Sequence, residues 1–157
     1  HTLRHQLLKY YIMNLVNIPS SQVDDVWNLV KKDIQQALSY SGNHTDAEFV
    51  YETVKQNKMQ LWVLWDNSKK ATIEKYYGVV VTEIAERKLK KSCNIFIVTG
   101  RHRQKWQHLI KIIEDFALQQ NCSNIELIAR KGWKKIMEQY DYKETHVVLE
   151  KPIIKGE

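Results

Sequence analysis

One part of this sequence restricts the possible folds more than any other: an apolar segment, a basic loop, a long amphipathic segment and a second apolar segment follow one another. Residues 93–99 (CNIFIVT) are apolar and β-branched, which is typical of a buried strand. After Gly100 the apolar residues recur at helical spacing, and residues 124–129 (NIELIA) predict a further strand. Two strands joined through a helix form a right-handed parallel crossover, so the sequence predicts an α/β domain.

The other segments add antiparallel strands and further helices to this unit. Strands are predicted at residues 10–16, 60–66, 76–84 and 142–150, and helices are predicted to begin at Ser20 or Ser21, at Thr45 and after Arg130. Thr45 and Glu48 have the spacing of a capping box, which makes Thr45 the predicted N-cap of the second helix. The order βααβββαβαβ predicts a mixed, mostly antiparallel sheet with a central parallel crossover and helices on both faces.

Length and composition indicate a single domain over residues 1–157, with a flexible or tag-derived segment at 1–9 and a tail at 152–157. The chain is 43% hydrophobic and 27% charged, which is ordinary for a globular protein. No apolar run approaches the roughly 20 residues needed to cross a bilayer, and no signal peptide is evident, so we expect a cytoplasmic protein. Cys93 and Cys122 lack the spacing of a metal site or disulfide scaffold and are expected to be reduced, without a bound metal.

The net charge of +6 favours an anionic partner. Three of the cations, Arg101, Arg103 and Lys105, lie where the predicted central helix begins. The first amides of a helix have no internal acceptor and lie at the positive end of its dipole. The loop therefore predicts a site for a pyrophosphate or another anion, and the alternative is a solvated basic loop without a ligand.

Two carboxylates lie on strands in the middle of the predicted sheet. Glu83 is at the end of one strand and Glu126 is inside another. Either could act as a general base, directly or through water. The alternative is that each faces solvent or pairs with a lysine. The histidines are scattered and suggest no catalytic triad.

The element order, together with several short sequence words, resembles the GNAT acetyltransferase superfamily, with the greatest likeness to its small, diverged members encoded by bacteriophages. The resemblance covers nearly the whole chain from about Tyr10. It rests on the combination of words, since no single word is diagnostic. These are residues 60–63 (QLWV), 78–84 (GVVVTEI), the strand that ends at Gly100, 114–117 (EDFA), Asn121-Cys122, 125–127 (IEL), 130–133 (RKGW), Tyr142 and 149–151 (LEK).

This resemblance implies transfer of an acetyl group from acetyl-CoA to an amine that the sequence does not identify. In that superfamily the pantetheine lies between two splayed parallel strands, which correspond here to residues 93–99 and 124–129. Amides near the start of the next helix hold the pyrophosphate, and strand amides polarise the thioester carbonyl. The implied general bases are Glu83 and Glu126. The implied cofactor-binding residues are Val98, Thr99, Arg101, Arg103, Gln104, Lys105 and Trp106.

Four positions depart from the family pattern. Gln104 and Trp106 replace the two glycines of the pyrophosphate loop, where a Cβ hinders close approach of the backbone. Met137 falls where the family often has a general-acid tyrosine, and Asp141 replaces a glycine. Whether the chain is an active enzyme is therefore left open. A second hypothesis is a non-enzymatic phage protein, either a virion or assembly component or an inhibitor of a host protein.

A third hypothesis is nucleic-acid binding. Five tryptophans and eight tyrosines in a basic chain could stack on single-stranded bases. However, Trp27, Trp106 and Trp133 fall on the apolar faces of predicted helices, where tryptophans usually belong to the core.

Overall fold

The computed structural model describes residues 13–40 and 45–156. One five-stranded sheet carries helices on both faces. The strands are β1 (Met13–Ile18), β2 (Gln60–Asp66), β3 (Tyr76–Arg87), β4 (Lys90–Gly100) and β5 (Asn124–Leu127). The helices are α1 (Val23–Ser39), α2 (Ala47–Lys55), the short α3 (Thr72–Lys75), α4 (Ile110–Gln119) and α5 (Lys131–Glu138).

The strands lie side by side in chain order, and every neighbouring pair is antiparallel except β4 and β5. The predicted fold class is therefore confirmed, with the crossover helix α4 joining two parallel strands. One feature of the prediction was wrong: residues 142–150 do not form a strand in this structure. Among the described residues β5 is consequently the last strand, and the parallel pair lies at an edge of the sheet rather than at its centre.

Two apolar cores cover the two faces of the sheet. On one face, α1 and α2 pack on alternate residues of β2, β3 and β4, such as Leu61, Val79 and Ile97. On the other face, α4 packs on the intervening residues, such as Val80 and Ile95. This alternation follows from the period of two in a strand, and because both faces are covered these strands are continuously apolar. No helix in the described part of the chain is long and apolar enough to cross a membrane.

Helix ends show where short-range patterns succeed and where they fail. The N-cap of α2 is Asp46, whose Oδ1 accepts the N–H of Phe49 at 2.9 Å, so the prediction of Thr45 is wrong by one residue. Asn121 has a φ of 62° and ends α4, because its N–H and that of Cys122 donate to the carbonyls of Leu118 and Ala117.

Residues 10–12 of the predicted first strand and the predicted flexible segment 1–9 lie outside the described residues. Strand β1 extends beyond the predicted Val16 to Ile18. Strand β3 continues beyond the predicted Ile84 to Arg87 and β4 begins at Lys90, which leaves a two-residue turn between them.

Candidate functional site

The parallel strands β4 and β5 separate before β4 ends. Their pairing runs from Ser92 opposite Asn124 to Ile95 opposite Leu127. Beyond this point β4 continues to Gly100, whereas the chain leaves β5 towards α5. Residues 97–100 therefore pair with β3 alone in the described structure, and residues 96–100 leave a gap on the β5 side, which we call the wedge.

Two features determine the course of β4 along the wedge. A bulge at Phe96 leaves this residue without a partner on β3, because Ile97 lies opposite Val81 and Ile95 opposite Thr82. Further along, Gly78 and Gly100 lie opposite each other, and a Cβ on Gly100 would be 2.5 Å from the carbonyl oxygen of Tyr77. The end of β4 is thus held against β3 at a distance that only glycine allows.

The direction of the β4 amides follows from the antiparallel pattern. The N–H of Arg101 donates to the carbonyl of Tyr77 at 2.9 Å, which makes these opposite residues a hydrogen-bonded pair. Because bonded and non-bonded pairs alternate, Thr99 is bonded to Val79 and the N–H of Val98 points away from β3 into the wedge. Of the two amides predicted to face a thioester, that of Val98 has the required direction and that of Thr99 does not.

A narrow apolar cavity of about 20 Å³ lies below the wedge on the α4 face. Its walls come from all five strands, including Leu15, Leu64 and Val80, from α4 and the loop before it, and from α5. They include Ile95, Val98, Trp106, Leu127, Trp133 and Met137. Apolar walls suit a thioester and its alkyl chain better than a charged group.

The basic loop after β4 does not open an α-helix directly, so that prediction was wrong. Two 3₁₀ turns, Arg103–Lys105 and Gln107–Leu109, precede α4. The physical reason is the backbone of His102, which has a φ of 54° and is left-handed, and that of Trp106, which is not helical. Consequently the N–H groups of Lys105 and Trp106 donate to the carbonyls of His102 and Arg103.

Trp106 points into the core rather than over the loop. Its side chain is buried, and its Nε1 donates to the carbonyl of Arg101 at 2.7 Å. The indole also lies against Gly100 and next to the ring of Trp133. The outer surface of the loop is therefore formed by its exposed residues Arg101, His102, Gln104 and Lys105.

The three cations of the basic loop, which follows the end of β4, each lie near the ring of Tyr77 or Trp133. The Arg101 guanidinium lies 4.3 Å from the centre of the Tyr77 ring and also donates to the carbonyls of Glu74 and Tyr76. The Lys105 ammonium lies 5.8 Å from the same ring, and the Arg103 guanidinium lies 5.8 Å from that of Trp133. No carboxylate pairs with these cations in the described residues, so together they form an anion-attracting surface.

Glu83 and Glu126 lie on the same face of the sheet, one on each side of Asn94. Glu83 is opposite Asn94 across the β3–β4 ladder, and Asn94 is opposite Glu126 across the β4–β5 ladder. Two strand spacings separate the two glutamates, which is about 10 Å. Between them the Oδ1 atom of Asn94 is buried without a hydrogen-bond partner in the described structure.

The two glutamates have different surroundings. Oε1 of Glu126 accepts from the Lys90 ammonium at 3.1 Å and from the Asn124 amide at 3.3 Å. The lysine, with a smaller contribution from the amide, holds the pKa of Glu126 below its usual value, which makes it a weaker base. Glu83 is half-buried, and no ion pair or hydrogen bond holds its carboxylate among the described residues.

The region expected to supply a general acid contains no suitable proton donor at the matched position. Met137 is buried and lines the cavity. The hydroxyl of Tyr142 donates to Oε2 of Glu114 at 2.8 Å, and burial, reinforced by this carboxylate, raises the pKa of the phenol. Asp141 has a φ of 67° and ends α5 in the way that a glycine would.

Other reactive groups give no second centre in the described part of the chain. Burial raises the pKa of Cys93 to about 12, so this thiol is protonated at neutral pH. No group of three His, Cys, Asp or Glu side chains among the described residues could hold a metal ion. Trp62 and Trp106 are buried and Trp27 and Trp133 are half-buried against the cores, which does not favour the stacking platform of the nucleic-acid hypothesis.

Sequence reasoning missed three residues of this site. Tyr77 supports two cations, Gly78 permits the close approach of β3 to β4, and the ring of Tyr40, directly after α1, lies 4.1 Å from the guanidinium of Arg130, directly before α5. Only the glycine carried a signal, since a glycine inside a strand often marks a close backbone contact.

Comparison with known proteins gives the fold and no closer assignment. No protein-family model matches the sequence, and no curated protein matches it significantly. Solved structures do match along almost their whole length. A probable acetyltransferase has 12% identity and a TM-score of 0.66, with 91% of this chain and 99% of that one covered. The BH1408 protein of Bacillus halodurans, crystallised as a tetramutant, has 12% identity and a TM-score of 0.65, with 89% and 99% covered.

A further match is an aminoglycoside acetyltransferase from an uncultured soil metagenomic sample, solved in complex with sisomicin. It has 13% identity and a TM-score of 0.63, with 92% of this chain and 98% of that one covered. At these identities the likeness concerns the fold. The chain therefore has the mixed α/β fold of the GNAT acetyltransferases, as the sequence resemblance implied.

Proposed function

We propose that this chain binds an acyl-CoA in the wedge and transfers its acyl group to an amine. The observation that carries the proposal is the separation of β4 from β5 after Ile95 and Leu127, directly beside the cations of the basic loop. A narrow apolar gap that ends in a cationic surface suits a ligand with a thin uncharged arm and a polyphosphate end. The aminoglycoside acetyltransferase with the same fold supports an amine as the acceptor.

The basic loop and the end of β4 would have different roles in binding the acyl-CoA. The cations of Arg103 and Lys105 would bind the phosphates, together with the outer surface of the loop at Gln104. Arg101 and Trp106 would instead keep the loop in position, since their side chains are bonded to the backbone and buried in the core respectively. The N–H of Val98 would donate to the thioester carbonyl oxygen and stabilise the negative charge that develops on it.

Glu83 would act as the general base. The amine nitrogen forms a bond to the carbonyl carbon, the C–S bond breaks so that coenzyme A leaves as a thiolate, and a proton passes from the nitrogen through water to the Glu83 carboxylate. The thiolate then takes a proton from solvent. Glu126 is the less suitable base because its ion pair with Lys90 lowers its pKa.

Binding is tested by calorimetric titration with acetyl-CoA. Replacing Arg103 or Lys105 by alanine is expected to weaken the affinity about tenfold, the loss of one charge-assisted contact. Lys111→Ala is the matched control, because it removes an exposed lysine of α4 outside the loop and should leave the affinity unchanged. No heat and no thermal shift with millimolar acetyl-CoA would contradict the proposal.

Turnover is tested with a matched pair of isosteric variants. Glu83→Gln is expected to lower kcat at least about 100-fold with little change in acetyl-CoA affinity, because it removes the base and not the binding surface. Glu126→Gln should lower kcat much less. If Glu126→Gln abolishes turnover and Glu83→Gln does not, the roles of the two carboxylates are reversed.

Binding without turnover is the second candidate function. It is favoured by the internal bonds of the Lys105 and Trp106 amides and by Met137, which cannot donate a proton. Tight binding of acetyl-CoA with no product from any amine would support it. The phage origin, and a role as a virion component or host inhibitor, stay predictions that detection of the protein in purified phage particles would support.

A further inference from the structure

Positive charge is concentrated in three segments of this chain, and one of them is the basic loop that follows β4. The segments are residues 69–75, 101–105 and 130–135. Together they contain ten lysines and arginines and a single carboxylate, that of Glu74. We call them the extended cationic surface, because the contacts described next join them around the end of β4.

Two arginines of the basic loop join the three segments to one another. The guanidinium of Arg101 donates to the carbonyl of Glu74 at 2.8 Å, which fixes the loop against the first segment. The guanidinium of Arg103 lies 5.8 Å from the centre of the Trp133 ring, which brings the third segment to the loop. The positive charge of these separate parts of the sequence therefore lies in one region of the molecule.

Aromatic rings rather than carboxylates support the cations of this surface. The guanidinium of Arg130 lies 4.1 Å from the centre of the Tyr40 ring, and the loop cations lie near rings in the same way. Within the described residues, Lys134 is the only cation of the surface that forms an ion pair, with Glu144. A ring holds a cation in position without neutralising it, so the surface keeps its charge for an external anion.

This surface extends further than the phosphates of a free acyl-CoA require. A pyrophosphate is compact and is best held where several backbone amides point at it together. In the basic loop the N–H groups of Lys105 and Trp106 already donate to carbonyls of the loop itself. The lysines and the arginine of residues 130–135 are all exposed and lie at the start of a different helix. The surface therefore fits negative charge that is spread over the face of a protein.

We infer that the extended cationic surface docks an acidic carrier protein that holds the acyl group as a thioester on a phosphopantetheine arm, and that this protein is a better donor than free acyl-CoA. The inference rests on the proposed function, since a large polyanion bound around the end of β4 would block the wedge unless its own arm entered it. Such an arm is thin and ends in one phosphodiester, so it does not need the loop amides that a pyrophosphate needs.

The transfer from such a carrier balances in the same way as the transfer from coenzyme A. The amine nitrogen forms a bond to the carbonyl carbon, and the C–S bond to the arm breaks. The amine proton passes through water to the Glu83 carboxylate. The carrier keeps the arm as a thiolate, which takes a proton from solvent.

Calorimetric titration with an acyl carrier protein of fatty-acid synthesis tests the docking. The carrier is used in its acetylated form and in the apo form, which has the same acidic surface without the arm. The acetylated carrier is expected to bind at least about tenfold more tightly than either the apo carrier or acetyl-CoA, because only it uses both the surface and the wedge. Its affinity should fall steeply as salt is added.

Two double variants with the same change in net charge locate the docking surface. Lys131→Glu combined with Lys135→Glu is expected to weaken the affinity for the acetylated carrier at least about tenfold, because it reverses two charges of the surface. The affinity for acetyl-CoA should stay within about twofold, since neither lysine belongs to the basic loop. Lys31→Glu combined with Lys32→Glu is the matched control, because both lysines are exposed on α1 outside the surface. Far-ultraviolet circular dichroism checks that both variants are folded.

The outcomes separate this inference from the proposed function. Binding of acetyl-CoA without binding of the acetylated carrier would overturn the inference and leave the proposed function intact, whereas binding of neither would contradict both. Equal losses of carrier affinity in the two double variants would show that net charge acts rather than this surface, and would overturn the inference. Tighter binding of a duplex oligonucleotide than of the carrier would overturn it in favour of a nucleic-acid partner.

Discussion

Strands β2, β3 and β4 have a neighbour on each side, whereas β5 has one in the described structure, and the burial of their side chains differs accordingly. Ile95 of β4 is 1% exposed, and Ile125 of the adjacent β5 stays half-exposed although both face the same core. The centre of the sheet therefore supplies most of the stability. The edge combines a weakly covered strand, an ion pair and the wedge, which is where a ligand can enter without opening the core.

The difference in burial between β4 and β5 is tested most strongly by replacing an isoleucine with alanine on each strand. Ile95→Ala removes a fully buried side chain and is expected to lower the free energy of unfolding by about 3 kcal/mol. Ile125→Ala removes a half-exposed one and should cost only about 1 kcal/mol. Urea denaturation of both variants measures the difference. Equal losses would show that the edge is packed as tightly as the centre.

A second test compares two glycines. Gly100→Ala places a Cβ 2.5 Å from the Tyr77 carbonyl oxygen, so β3 and β4 must move apart, at a cost of about 2 kcal/mol. Gly132→Ala, in α5 at the edge, meets nothing within 4 Å and should stabilise the protein by up to about 1 kcal/mol through helix propensity. Thermal melting gives both signs, and a destabilising Gly132→Ala would mean that α5 is crowded by a contact absent from this structure.

The smallest expected effect concerns the ion pair on β5. Because the folded pKa of Glu126 is lowered, its contribution is fully present above the unfolded value of about 4.5 and is lost as the pH falls through the folded pKa. Lys90→Met should thus reduce stability at pH 7 by less than about 1 kcal/mol, since the pair is partly exposed, and should have no effect at low pH. Nuclear magnetic resonance titration should show the pKa of Glu126 rising, and an unchanged pKa would contradict this cause.

The sequence predicts the interior of the sheet better than its edge. Strand β2 is confirmed at both ends, because the apolar residues 60–66 are flanked by polar ones. In contrast, nothing in the local sequence indicates that His102 is left-handed or that α4 begins only at Ile110. Asp46 and Thr45 are both good caps, so short-range reasoning could not choose between them.

The same limit applies to the candidate site. The basic loop and both glutamates were found from residue type and position along strands. The pairing of Lys90 with Glu126 depends instead on the register that sets Ser92 opposite Asn124. The support of two cations by Tyr77 depends on the approach of β3 to the loop. Such contacts join distant parts of the chain, and a single sequence contains no pattern for them.

The close contact between Gly78 and Gly100 also determines how the wedge can respond to molecules of different width. On one side of the wedge, the end of β4 is held against β3 by close backbone contacts, so this side is not expected to move. Any widening of the wedge is therefore expected on the opposite side, where β5 is joined to β4 over only four residue pairs. If the wedge binds an acyl-CoA as proposed, the length of acyl chain that it accepts would depend on the flexibility of residues 124–138 rather than on the shape of the β4 side.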